Sequence, residues 1–174
     1  MELISSLVRV SGFWGNSNCI ALYSSNRKNR RPKICQVSLV KKGAAMQEQQ
    51  YSRTQVYLSS NRNAEPKYMF ACLGDIIERQ GYSILSEFKM LDVGTATGDF
   101  IQYILNRFSK VECMGVNFDE QLIKRAENRN INASFRVGDA NNLSCINDSS
   151  FDVVTLIGTH SIFDDFRPSF SECI

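Results

Sequence analysis

The sequence predicts an α/β fold, a parallel β-sheet with helices on both faces, and three observations carry that prediction. The apolar run Phe88–Val93 ends in a glycine-containing turn at Gly94–Gly98. After the turn the apolar positions change spacing to Phe100, Ile101, Ile104, Leu105 and Phe108, a helical period. The same strand, turn and helix alternation then repeats along the chain, which implies parallel strands joined by crossover helices. Finally, all of these turns fall at the carboxyl ends of the strands, the edge where such sheets hold their ligands.

Taken in order, the chain opens with residues 1–45, a basic extension. Up to residue 47 it holds eight basic residues and Glu2 as its one acid, so this part carries +7 and the remainder −5 of the net +2. The extension is expected to have no stable fold, and three origins fit its composition. It is a leader preceding a true start at Met46, a Ser-, Asn- and Arg-rich transit peptide to plastid or mitochondrion, or an arm whose Arg27–Lys33 cluster attracts nucleic-acid phosphates. With Met46 as the start the protein is expected in the cytoplasm. Residues 46–64 are polar and aperiodic, and read as a flexible lead-in. Structure is expected from Glu65-Pro66, where proline suits a first helical turn. Met69, Phe70, Leu73, Ile76 and Ile77 then share one face, and Gly81 stops the helix.

Beyond the central turn, Val111–Val116 reads as a strand. Asp119 is placed to cap a helix that buries Leu122, Ile123 and Ala126. Ala133–Val137 is a third strand, Gly138-Asp139-Ala140 a turn, Asn141–Ser150 a polar loop and Phe151–Ile157 a fourth strand. Pro168–Ile174 reads as the opening of a further helix.

Composition narrows the chemistry. No apolar run is long enough to span a bilayer as a helix. Six scattered cysteines without a C-x-x-C pair read as reduced structural thiols, with neither a zinc cluster nor a disulfide framework. A dinucleotide fingerprint would need G-x-G-x-x-G, but Ala96, Gly98 and Asp99 break it. Glycine serves such a turn because it accepts positive φ and lets a ligand approach the backbone. The helix that follows offers unpaired N–H groups.

Asp92-x-Gly94-x-Ala96-x-Gly98 resembles the first motif of class I S-adenosylmethionine-dependent methyltransferases, [DE]-x-G-x-G-x-G, with Ala96 in place of the middle glycine. Gly115-Val-Asn-Phe-Asp-Glu-Gln-Leu resembles the segment that follows, and Arg136-Val-Gly-Asp-Ala with Ser150-Phe-Asp-Val-Val resembles the next two. The order and intervals match over roughly residues 66–174. The resemblance implies a Rossmann-like sheet of order 3-2-1-4 over residues 65–174, with the family's strands 5 to 7 missing and the fourth strand left as an apolar edge open to self-association. It implies S-adenosyl-L-methionine as cofactor, held by Asp92, Gly94, Thr95, Ala96 and Gly98 at the methionine end. Asn117 would stand at the ribose, Phe118 would lie on the adenine, and Asp139 and Ala140 would meet its edge.

One residue departs from the family's pattern. The second strand there ends in Asp or Glu, which receives the ribose hydroxyls; here Asn117 brings no charge, a loss of about 1 kcal/mol. The implied reaction is methyl transfer to a small-molecule acceptor. No Asn-Pro-Pro-Tyr-type motif follows the fourth strand, so nucleic-acid bases are disfavoured. His160, the sole histidine, follows that strand and is the candidate base. Two rival readings are a non-catalytic cofactor-binding remnant and a fragment of a dinucleotide-dependent oxidoreductase.

Overall fold

The computed structural model describes residues 20–25, 32–37, 54–58, 67–144, 146–158, 165 and 167–173. A single six-stranded sheet organises them in the order β2-β1-β6-β3-β4-β5, with β1 at Ile20–Ser25 and β2 at Pro32–Val37. Its parallel part consists of β3 (Phe88–Val93), β4 (Val111–Asn117), β5 (Ser134–Val137) and β6 (Val153–Ile157). Numbered among themselves, these four strands run 3-2-1-4, the expected Rossmann-like arrangement, with β3 central and paired parallel to both β4 and β6.

The sequence pattern explains why β3 is central. Apart from Lys89, every residue of the strand is buried, so both of its faces must be covered. Phe88 and Met90 point into one cluster with Phe70, Leu73, Ile77, Ile101, Ile104 and Phe108. Leu91 and Val93 point into a second, with Val116, Leu143, Leu156 and Cys173. Helices α2 (Tyr68–Arg79) and α3 (Asp99–Arg107) cover the first face. Their contact is fixed by Arg107, which donates to Glu78, to Asp75 at 2.6 Å, to the Tyr103 hydroxyl and to the Ala71 carbonyl. Gly74 makes room for it, since a Cβ there would stand 2.4 Å from the guanidinium.

The helix ends follow the sequence signals. Gly81 terminates α2 at φ 99°. Asp119 Oδ1 accepts from the Gln121 and Leu122 N–H groups and so caps α4 (Glu120–Glu127). Asp152 enters β6 by taking the Lys89 N–H on its carboxylate at 2.9 Å. Beyond β6, α5 (Arg167–Glu172) returns to the second face, where Glu172 accepts the Leu143 N–H at 2.7 Å.

The structure corrects two expectations. Residues 1–45 are not structureless throughout: β1 (Ile20–Ser25) and β2 (Pro32–Val37) form an antiparallel hairpin. Nor is the fourth parallel strand an open edge for self-association, because β1 pairs antiparallel with β6 from Ile20↔Ile157 to Ser24↔Val153. The physical reason is the edge itself. Val153, Val154, Thr155 and Leu156 are buried on both faces, and an unpaired ladder beside them would leave backbone groups without partners. Short apolar runs at Ile20–Tyr23 and Ile34–Val37 supply the pairing. The outer position passes to β2, which begins at Pro32, a residue with no N–H to offer a further strand. Within the expected lead-in, residues 54–58 form a short helix, α1.

Candidate cofactor site

The site lies at the carboxyl ends of β3, β4 and β5. Its centre is the bend after β3, where three residues take the left-handed backbone: Gly94 at φ 81°, Ala96 at φ 51° and Gly98 at φ 77°. The entry to the bend is tied to the neighbouring strand, as the Gly94 and Thr95 N–H groups donate to the Val116 carbonyl at 2.7 and 3.0 Å. Its exit closes with the Gly98 N–H on the Thr95 carbonyl at 3.0 Å, and α3 starts one residue later. Glycine is required at position 98 twice over. The backbone is left-handed there, and a Cβ would meet the Phe135 ring at 2.9 Å. Gly115 beneath the bend is constrained by space alone, since a Cβ would stand 2.7 Å from Thr95 Cγ2.

Polar groups converge on this bend. Asp92, one strand step before it, is 2% exposed, and Thr155 Oγ1 donates to its carboxylate at 2.7 Å. Burial pushes the Asp92 carboxyl up to about 6, an effect only partly offset by the Thr155 and Thr95 hydroxyls. Thr95 Oγ1 is buried and lacks a partner in hydrogen-bonding geometry. Among the described residues the Ala96 and Thr97 N–H groups meet no backbone acceptor, and the first turn of α3 adds its own free donors. An anionic and an ammonium group together, as at the end of an amino acid, would satisfy both kinds of orphan.

The second half of the site follows β4. Asn117 is buried, and its Oδ1 accepts the Asp119 N–H at 2.9 Å. Its acceptor is thus committed to the chain, which leaves the amide N–H₂ for a ligand hydroxyl. Phe118 is 45% exposed at the same edge. After β5, Asp139 Oδ1 accepts the Asn141 N–H at 2.9 Å and keeps its second oxygen for another donor. Ala140 is buried under this turn, and Asn141 Oδ1 is buried without a partner. The structure therefore brings Asp92, Gly94, Thr95, Ala96, Gly98, Asn117, Phe118, Asp139 and Ala140 to one edge of the sheet. His160 lies outside the described residues.

Two residues at this edge carry no sequence signal. Thr54 of α1 is buried and donates to Asp119 Oδ2 at 2.7 Å, across 65 residues of chain. Arg129, in the turn after α4, donates to the Thr97 carbonyl and pairs with Asp99. Among the described residues no helix is long and apolar enough to cross a membrane.

A parallel sheet with this strand order and a glycine-cornered bend at its central strand defines a Rossmann-like class of α/β protein. Residues 90–174 match the family model of a methyltransferase domain. The demethylmenaquinone methyltransferase of Thermotoga maritima is 34% identical over 85 residues, 49% of this chain and 37% of the relative. The chain therefore spans little more than a third of the length of that relative. Among solved structures, a Methanococcus maripaludis protein described as an S-adenosyl-L-methionine-dependent methyltransferase superposes with TM-score 0.55. It is 17% identical, and the match covers 78% of this chain and 61% of that one. The YjhP protein of E. coli superposes with TM-score 0.51 at 16% identity, covering 69% and 49% of the two chains. At these identities the two structures support the fold.

Proposed function

We propose that this chain binds S-adenosyl-L-methionine across the ends of β3, β4 and β5 and transfers its methyl group to a small-molecule acceptor. The observation that carries the reading is the bend at Gly94–Gly98. It combines three left-handed residues, unpartnered N–H groups and an orphan Thr95 hydroxyl beside a buried carboxylate. The donors suit the cofactor's carboxylate, and Asp92 suits its ammonium. The Asn117 amide donates to a ribose hydroxyl, Phe118 packs on the base, and the free oxygen of Asp139 accepts from the base's amino group.

When bound, the cofactor supplies an electrophilic methyl group on a sulfonium. The protein's part is to align donor and acceptor and to exclude water. Thr54, held on Asp119, places α1 beside the adenosine half, in position to shield it. His160 is assigned the proton of an acceptor that must lose one. A small-molecule acceptor also fits the Thermotoga relative, whose name specifies a demethylmenaquinone.

Calorimetric titration of the 174-residue chain with S-adenosylmethionine, S-adenosylhomocysteine and NAD tests the reading. Binding of the two sulfur compounds, with none of NAD, is expected. NAD binding in their place would overturn it in favour of a dinucleotide enzyme. Cofactor binding with no methyl transfer to any small-molecule extract would leave a binding remnant instead of an enzyme.

A further inference from the structure

Arg129 stands in the turn that leads from α4 towards β5, yet its guanidinium crosses to the bend after β3. The same nitrogen, Nη1, donates to the Thr97 carbonyl and to Asp99 Oδ1. The pair is largely sheltered, with 14% of the Arg129 side chain and 13% of the Asp99 side chain exposed. Charge-assisted bonds in such a setting are stronger and more geometrically demanding than surface ion pairs.

The place of these bonds gives them their significance. The Val116 carbonyl tethers only the entry of the bend, at Gly94 and Thr95. Arg129 holds the exit, at the Thr97 peptide and the first residue of α3. Between the two lies Ala96 at φ 51°, a conformation that a residue with a Cβ keeps only where its surroundings over-determine it. With the clamp in place, the peptides that carry the unbonded Ala96 and Thr97 N–H groups are held at both ends. Without it, the Gly98 N–H on the Thr95 carbonyl alone closes the exit, and the strained residue between can shift.

We propose that Arg129 is a positioning residue for the amino-acid end of the bound cofactor, acting through the Thr97 carbonyl and Asp99 and touching no ligand itself. This rests on the functional reading above. It makes a distinction that general loosening of the fold would not make, because only one half of the cofactor should sense the loss.

The test is calorimetric titration of wild type, Arg129→Met and Arg129→Lys with two ligands. S-adenosylhomocysteine carries the amino-acid end; 5′-methylthioadenosine keeps the adenosine and lacks that end. Arg129→Met should weaken S-adenosylhomocysteine roughly tenfold and leave methylthioadenosine within about twofold of wild type. Arg129→Lys keeps a cationic donor on a shorter side chain without the planar guanidinium fork, so it should fall between and provides the test if the Met variant fails to fold. Ala96→Gly in the Arg129→Met background should recover part of the loss by removing the strain. Equal loss of both ligands, or unchanged S-adenosylhomocysteine binding, overturns the assignment of Arg129 alone. A wild-type chain that binds neither ligand overturns the cofactor reading and this proposal with it.

Discussion

Asp92→Asn should stabilise the ligand-free protein while weakening its cofactor binding, and the size of the effect follows from the carboxyl's surroundings. Burial raises the Asp92 pKa from 3.8 to about 6 in the folded state. A pKa raised by folding means that the fold favours the protonated form. That contribution is fully present below about pH 4 and is lost as the pH rises through about 6. At about 1.4 kcal/mol for each tenfold change in proton affinity, the rise corresponds to about 3 kcal/mol, a large share of the roughly 5–15 kcal/mol typical of a domain.

Asparagine is nearly isosteric and uncharged. Its carbonyl can keep the Thr155 hydrogen bond, and its amide can donate to the buried Thr95 hydroxyl nearby. Urea unfolding of wild type and variant at pH 4 and pH 8 measures the difference directly. The variant's advantage should approach 3 kcal/mol at pH 8, a midpoint shift of about 1–3 M at usual urea slopes, and should vanish near pH 4. A variant that is less stable at pH 8, or equally shifted at both values, would refute the argument that an ionised, desolvated carboxylate is held here. The cofactor should respond in the opposite sense. Wild-type affinity for S-adenosylmethionine should fall as the pH drops below about 6 and Asp92 loses its charge.

Three further outcomes are expected. Gly98→Ala and Gly115→Ala each drive a Cβ into Thr95 or Phe135, so each should cost on the order of 1–3 kcal/mol in unfolding experiments and reduce cofactor affinity; full stability in both would contradict the packing beneath the bend. A chain begun at Met46 loses β1 and β2 and exposes the β6 edge, so light scattering should show association that the full chain lacks. Asn117→Asp keeps an acceptor for the Asp119 N–H but removes the amide donor assigned to the ribose, so S-adenosylmethionine should bind several-fold more weakly, about 1 kcal/mol; tighter binding would mean that this position accepts from the ribose hydroxyls instead.

Much of the site was legible in the sequence because its constraints are local. Gly98 must be small and left-handed whatever surrounds it, and a run such as Phe88–Val93 can only be a strand covered on both faces. Asp119 as a cap and Gly81 as a stop are likewise read within four residues of their targets. What escaped was built from distant partners. Arg129 looks like an ordinary charge at a helix end, and nothing in its neighbours points 30 residues back to Asp99. Thr54 sits in a polar, aperiodic stretch, and the Asp119 carboxylate that receives its hydroxyl lies 65 residues further on. The hairpin was missed for a related reason. Ile20–Tyr23 and Ile34–Val37 are short runs inside a basic segment, and they gain a role only once β6 needs a partner.

The central claim is that the Gly94–Gly98 bend receives the amino-acid end of a sulfonium nucleotide whose base lies beside Asp139. A crystal structure of the chain with S-adenosylhomocysteine measures this most directly. The ligand's carboxylate should lie within hydrogen-bonding distance of the Ala96 or Thr97 N–H, and its adenine amino group should meet Asp139. Density for the ligand elsewhere on the sheet, or a bend closed over by side chains with the nucleotide excluded, would contradict the account.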